Sequence, residues 1–343
     1  MKRIITLLIF SCSITVAQQR DLKMPQVSQA AKVMQRIGLT DITISYNSPL
    51  AKGRKIWGDL VPYNEVWRAG ANENTVITFS SDVMVEGKKI GAGSYGLHMI
   101  PTTDEWTIIF SKNADAWGSF FNDEKEDALR VNVKTEQAEM QDWLGYTFRN
   151  PQENGVSVLL RWEKLAVPVK ITVDVPEVVF ESMKKELTNI NGFFWPGFNQ
   201  AAQYCIRKNI HLDQAAVWVD KSIAIQKNFI NLNTKATLLE KQNKQKQAET
   251  LKAEALTLAD ETQLNAYGYD LLNQGRNNEA IEIFRENVKR YPASWNVYDS
   301  LAEAMERIRD NKGAIENYRK ALSKAPDSQK KRITETINKL NEK

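Results

Sequence analysis

The segment "NEAIEIFRENVKRYP" at 278–292 recurs in degenerate form as "KGAIENYRKALSKAP" at 312–326. Ala280 aligns with Ala314, Phe284 with Tyr318 and Pro292 with Pro326, each 34 positions on. Upstream, Leu264, Gly268 and Leu271 align with Tyr298, Ala302 and Met305. A fixed register of this kind constrains folding more than any other feature of the chain. Each unit is a helix pair that cannot bury its own apolar face, so it must stack on its neighbours, and close crossings demand Ala or Gly. A weaker copy covers about 229–260, with Leu232, Ala236, Leu239, Ala248 and Ala255 in matching places, and a fainter one covers 196–228 around Ala202, Ala215 and Ser222. Ser328–Lys343 reads as a polar capping helix. For the last two copies the register excludes a plain helical bundle; for the first it does not.

Ahead of the repeats the pattern has a different period. "DITISY" (41–46), "TVITFS" (75–80), "SYGLHMI" (94–100), "EWTIIFS" (105–111), "ALRVNV" (128–133), "VSVLLRW" (156–162) and "VPVKITV" (167–173) are short β-branched or aromatic runs. Ser48-Pro49, Glu86-Gly87, Gly91-Ala92-Gly93, Pro101 and Asn150-Pro151 separate them as turns. Such runs predict a mostly antiparallel β-sandwich or barrel over 25–175. Six tryptophans fall here (57, 67, 106, 117, 143, 162) and are read as core aromatics, with a sugar-binding surface as the alternative. "PEVVFESMKKEL" then predicts a linker helix within 176–195, with Pro in its first turn, before helical repeats over 196–343.

Two resemblances follow from these motifs. The repeat, with its small residues at helix crossings and Pro after the second helix, resembles the tetratricopeptide repeat, which implies an α-helical solenoid and a surface for protein or peptide. "SPLAKGRKIWGDLVPYNEVWRAGANENT" (48–75), "VEGKKIGAGSYGLHMIP" (85–101) and "EWTIIFSKNADAWGSF" (105–120) resemble the domain-of-unknown-function family numbered 2911, common in exported proteins of Gram-negative bacteria. That resemblance implies a β-rich domain and no particular activity.

The chain opens on "MKRIITLLIFSCSITVAQQ". Lys2 and Arg3 precede a short apolar run, Ile4 to Val16, and Thr15-Val16-Ala17 offers small residues before a cut. The run is shorter than the roughly 20 residues of a membrane span. We read 1–17 as a signal peptide, which makes the mature protein periplasmic or secreted. Removing Lys2 and Arg3 takes the formal charge from +4 to +2, without the dense positive charge of a nucleic-acid binder. The same cut removes Cys12 and leaves Cys205, so no internal disulfide supports the fold.

The chemistry-bearing residues are few. The two histidines are His98 and His211, the latter in the helical half, so a His- or Cys-based zinc site in the β-domain is not expected. "NDEKED" (122–127) lacks the alternating ligands and central Gly of a calcium loop. "GAGSYG" (91–96) precedes a strand rather than a helix, and reads as a turn rather than a phosphate loop. No metal and no cofactor is expected. The remaining constellation is Arg54, Trp57, Arg68, Asn72, Glu73, Asn74 and His98, our candidate ligand-binding set. Arg matches planar carboxylate or phosphate, and Asn and Glu orient such a ligand. The competing reading makes "VWRAGANENT" (66–75) a turn, with Arg68 paired to Glu65 or Glu73 and the asparagines forming Asx turns. In period two, Tyr95, Leu97 and Met99 share one face of their strand, and His98 faces outward or into a groove.

The function these features imply is an exported module that binds a small polar ligand on its β-domain and a protein or peptide on its repeats. The alternative is an exported hydrolase using Glu73 and His98 as acid and base. N-terminal sequencing of the exported protein should give Gln18 as the first residue; an intact Met1, or a lipid-modified Cys12, contradicts the signal-peptide reading.

Overall fold

The computed structural model describes residues 24–342. The signal-peptide expectation for 1–17 lies outside the described residues. The chain divides between Val178 and Val179 into two compact units.

The first unit is two antiparallel sheets over one core. The larger has the order β1 (Gln29–Ile37), β2 (Thr40–Ser48), β3 (Val76–Phe79), β6 (Gly93–Ile100), β7 (Glu105–Ser111), β8 (Asp127–Lys134). The smaller has the order β5 (Lys88–Ile90), β4 (Val83–Val85), β10 (Gly155–Thr172), β9 (Glu136–Gln152). Neither sheet closes on itself, so the architecture is a sandwich and not a barrel. Alternation explains the packing. Ile42, Ile44 and Tyr46 of β2, Trp106, Ile108 and Phe110 of β7, and Val156, Val158, Leu160 and Trp162 of β10 point into one shared core. The Glu86-Gly87 turn is as expected: both residues have positive φ, 47° and 78°, which a tight two-residue hairpin requires.

The edges differ from expectation. β1 and β9 end the larger and smaller sheets, and neither was predicted. An edge strand needs no alternating apolar face: β1 is mostly solvent-facing, and in β9 only Leu144, Gly145 and Tyr146 are buried. Asn150-Pro151, expected as a turn, lies inside β9, which runs to Gln152. An edge strand tolerates Pro because the missing N–H can face away from the ladder, and Asn150, at φ 54°, takes up the irregularity. The runs 156–162 and 167–173 are one strand, β10, with a left-handed residue at Glu163.

The second unit is helical. α1 (Val175–Glu186) is followed by four helix pairs. They are α2 (Trp195–Lys208) with α3 (Leu212–Ile225), and α4 (Phe229–Lys241) with α5 (Gln245–Leu258). α6 (Glu261–Asn273) with α7 (Asn277–Arg290), and α8 (Trp295–Arg307) with α9 (Asn311–Lys324), complete the set before α10 (Asp327–Asn341). Local signals start the helices: Asn228 with Asn231, and Asp260 with Gln263, form capping boxes at α4 and α6. The repeat register reappears as burial. Ala202, Ala236 and Ala302 on the first helices, and Ala215, Ala248, Ala280 and Ala314 on the second, are fully buried. At the corresponding Gly268 a Cβ would stand 2.6 Å from the ring of Phe284, so the crossing is too close for any side chain. α10 lays Ile333, Ile337 and Leu340 on the last pair, and its Arg332 Nη2 donates to both Asp299 oxygens at 2.9 Å.

The equivalence of Ala280 and Ala314 yields a direct test. Ala314→Leu should cost about 1–3 kcal/mol by overpacking, while Lys312→Leu, at an exposed position of the same helix, should cost little. Equal effects on thermal melting of the full chain would show that the register is misassigned.

Candidate functional site

The loop 66–75 is pinned at both ends. Trp67 exchanges backbone hydrogen bonds with Met99 of β6, N to O 2.8 Å in each direction. The carbonyl of Ala69 accepts from the Tyr146 hydroxyl at 2.8 Å and from Thr75 Oγ1 at 3.1 Å. Ala69 and Asn72 sit in the left-handed region, at φ 51° and 57°. A non-glycine residue holds that conformation only where its surroundings fix it. Tyr146 is fully buried, and burial raises its pKa well above normal, so its hydroxyl remains a donor.

Arg68 projects from this fixed segment without a partner. Among the described residues its guanidinium makes no hydrogen bond or ion pair, and its Nε is buried. Among the described residues the group set against its charge is the Trp117 ring, 5.9 Å from the guanidinium carbon. Partial burial pulls its pKa below the usual value, yet a guanidinium stays charged near neutrality. The expected pairing with Glu65 or Glu73 is not formed. Instead, Glu73 accepts from Gln26 Nε2 at 3.2 Å and Asn47 Nδ2 at 2.9 Å. Its pKa is lowered first by its own backbone N–H, then by Gln26, with Asn47 adding to the effect. Asn72 Nδ2 donates to Gln26 Oε1 at 2.6 Å. Glu73 and Asn72 therefore hold the start of the described chain against the loop.

Arg68 opens onto a groove of about 540 Å³. Lys52 and Arg54 share its lining, with Leu50, Leu60, Trp67 and Trp162 as apolar walls, and among the described residues no Asp or Glu lines it. Arg54 is already engaged: Nε donates to the Ala51 carbonyl at 2.9 Å and Nη2 to the Leu50 carbonyl at 2.6 Å. It shapes the 50–54 loop. Lys52, at φ 51°, is anchored by its backbone N–H to Asp142 Oδ1 at 2.9 Å, and its ammonium has no partner among the described residues.

Of the candidate set, the groove gathers Arg54 and Arg68. Trp57 does not line it: it is buried in a four-tryptophan cluster, with ring centroids 4.8 Å from Trp106 and 5.8 Å from both Trp67 and Trp162. The six β-domain tryptophans thus divide. Trp57, Trp67, Trp106 and Trp162 form this cluster, while Trp117 and Trp143 are exposed. Leu60 and Trp162 are members that sequence reasoning missed, and the alternation Val156, Val158, Leu160, Trp162 was the signal available for the last.

Asn74 and His98 belong to a second cluster. His98 is 2% exposed, not open to solvent, because residues 112–122 cover its face of β6. Its Nδ1 lies 3.1 Å from Ser119 Oγ. Asn74 Nδ2 donates to the Asn113 carbonyl at 3.3 Å, and its Oδ1 is buried without a partner. Gly96 makes this approach possible: a Cβ there would lie 2.7 Å from the Asn113 carbonyl oxygen, 3.1 Å from Asn74 Nδ2 and 3.2 Å from His98 Nε2. Glu73 and His98 thus have separate partners, and neither lines the groove. The charge acting on His98 is that of Asp127.

The pinned Arg68 loop, the tryptophan cluster and the β6 glycine all lie within one matched region. Residues 28–171 match the model of the protein family of unknown function DUF2911. The match spans the sandwich and stops before α1. No curated protein matches the chain. Among solved structures the chain is similar to YrrB, described as a tetratricopeptide protein with an unusual peptide-binding site, at 19% identity over 44% of this chain and 79% of that one, TM-score 0.27. It is also similar to PilF of Pseudomonas aeruginosa, at 20% identity over 43% and 67%, TM-score 0.28, and to MamA of Desulfovibrio magneticus RS-1, at 18% identity over 43% and 83%, TM-score 0.29. Within the helical unit a second cavity, about 380 Å³, lies between α2 and α4, with Ile206, Phe229 and Ile230 beside Gln203, Asn233 and Thr237.

Burial lowers the pKa of His98 below its ordinary 6.5, and Asp127 opposes the shift only in part. The folded β-domain therefore binds a proton at this site less readily than the unfolded chain. The stabilisation is complete above 6.5 and is lost as pH falls through the lower folded value, with a slope of at most about 1.4 kcal/mol per pH unit for one proton. His98→Asn should flatten this part of the stability profile. An unchanged slope between pH 7 and 5 in the variant would contradict the assignment.

Proposed function

We propose that the chain is an exported binding protein, periplasmic or secreted, with two binding parts. The DUF2911 domain takes a small ligand in the groove of Lys52 and Arg68, and the tetratricopeptide-like helices hold a protein or peptide. The single observation that carries the first part is the unpaired, partly buried Arg68 guanidinium on a pinned loop. Proteins pair or solvate buried charge because an uncompensated one is costly, and strain or an unsatisfied group that persists in a concave site points to a ligand. A turn that only connected strands would be built with Gly, Asn or Asp.

The second part is supported by the helical scaffold, which is that of a protein-interaction module. Its α2–α4 cavity combines apolar Ile206, Phe229 and Ile230 with amide and hydroxyl groups from Gln203, Asn233 and Thr237. That combination suits an extended peptide, whose backbone needs hydrogen-bond partners and whose side chains need apolar pockets. Export is supported by the basic start, the apolar run and Ala17 of the N-terminal sequence.

A binding role predicts a difference in what accompanies the purified protein. Native mass spectrometry of protein taken from its own cell envelope should show a small-molecule adduct on the wild type that is absent from Arg68→Ala. Identical spectra, with the bare mass in both, would count against a ligand in this groove.

A further inference from the structure

Resting on the reading of this groove as a binding site, we propose that its occupant is an amphipathic anion: a single oxyanion head joined to an apolar body. Two independent features of the lining require the two halves. The first is charge. Among the described residues Lys52 and Arg68 have no side-chain partners, and no carboxylate of those residues lines the groove to neutralise them. Arg54 spends its Nε on the Ala51 carbonyl and its Nη2 on the Leu50 carbonyl, which fixes the loop that carries Lys52. The Nε–H of Arg68 is a buried donor that lacks an acceptor. The Trp117 ring lies 5.9 Å from the guanidinium carbon, and a planar guanidinium offers parallel N–H groups to a carboxylate, sulfonate or phosphate. A neutral ligand leaves both cations uncompensated.

The second feature is apolar surface at the mouth. Leu50 and Leu60 are 37% and 43% exposed, although both border the groove. Behind them stand Pro49, Val61, Trp67 and Trp162. A small hydrated anion gains nothing from this wall, whereas an alkyl chain or ring removes it from water. The groove's 540 Å³ falls within the range of small-molecule sites, so head and body fit together. The backbone is already fixed by the Trp67–Met99 pairing and the doubly bonded Ala69 carbonyl, so little ordering is needed on binding.

The experiment is isothermal titration of the mature full-length protein with decanoate, decanol and inorganic phosphate, repeated with Arg68→Gln and Lys52→Gln. Decanoate should bind, decanol and phosphate should each bind at least ten-fold more weakly, and both variants should lose decanoate affinity by a similar factor. Two variants guard against one of them folding poorly, and thermal melts verify each. Decanol binding as tightly as decanoate would overturn the anionic head, and phosphate binding as tightly would overturn the apolar body. Either result leaves the groove as a ligand site. Decanoate affinity unchanged in both variants would place the binding elsewhere and overturn the inference. No binding of any probe would overturn it too, while the envelope adduct separately decides whether the groove is occupied at all.

Discussion

The carbonyl of Ala69 is the point on which the β-domain's site depends. It receives a hydroxyl from Tyr146, on the smaller sheet, and one from Thr75, just ahead of β3 on the larger. The Tyr146 contact spans 77 positions of sequence and ties the loop across the sandwich core. Holding Ala69 at φ 51° turns the chain so that Trp67 faces the tryptophan cluster while Arg68 faces the groove. Lose the tyrosine hydroxyl, and a buried carbonyl loses a donor while the left-handed residue loses the contact that holds it.

This arrangement separates two tasks that the motif residues had seemed to share. Glu73, Asn72 and Asn47 are satisfied by one another and by Gln26, so they build the loop's flank. Asn74 and His98 are enclosed beneath residues 112–122 with Ser119 and Asn113. Among the described residues nothing offers the Arg68 guanidinium a hydrogen bond, whereas Glu73, the other charged group of "VWRAGANENT", is satisfied. The stretch is therefore a constructed turn that aims the arginine into the groove.

The helical half was legible because its constraint is local and repeated. Alanine at a crossing recurs at fixed spacing, and the burial of Ala280 and Ala314 is the physical content of that spacing. The inner strands were legible for a similar reason, since alternation reports burial directly. β9 carries little alternation, and the inward set of β1 (Ala31, Val33, Gln35 and Ile37) includes a small and a polar residue, so its signal was weak. The groove was legible in part: Arg54 and Arg68 stood in one motif, whereas Trp162 arrives from β10 and Leu60 had no distinguishing neighbour. His98 was misjudged because exposure is a property of what covers a residue, whereas Trp57 is the core aromatic expected and fails only as a groove residue. The tryptophan cluster covers Trp57, and a loop some 20 positions away covers His98.

If Arg68 is held for a ligand and not for the fold, its charge works against stability in the free protein. Equilibrium chemical denaturation of Arg68→Met tests this directly, because methionine keeps apolar bulk beside Trp117 while deleting the cation. The account predicts an unfolding free energy equal to or above that of the wild type, as when an uncompensated buried charge is replaced by an apolar side chain. A loss of about 3 kcal/mol, the size expected for breaking a buried pair, would mean that Arg68 has a structural partner, and would contradict the account.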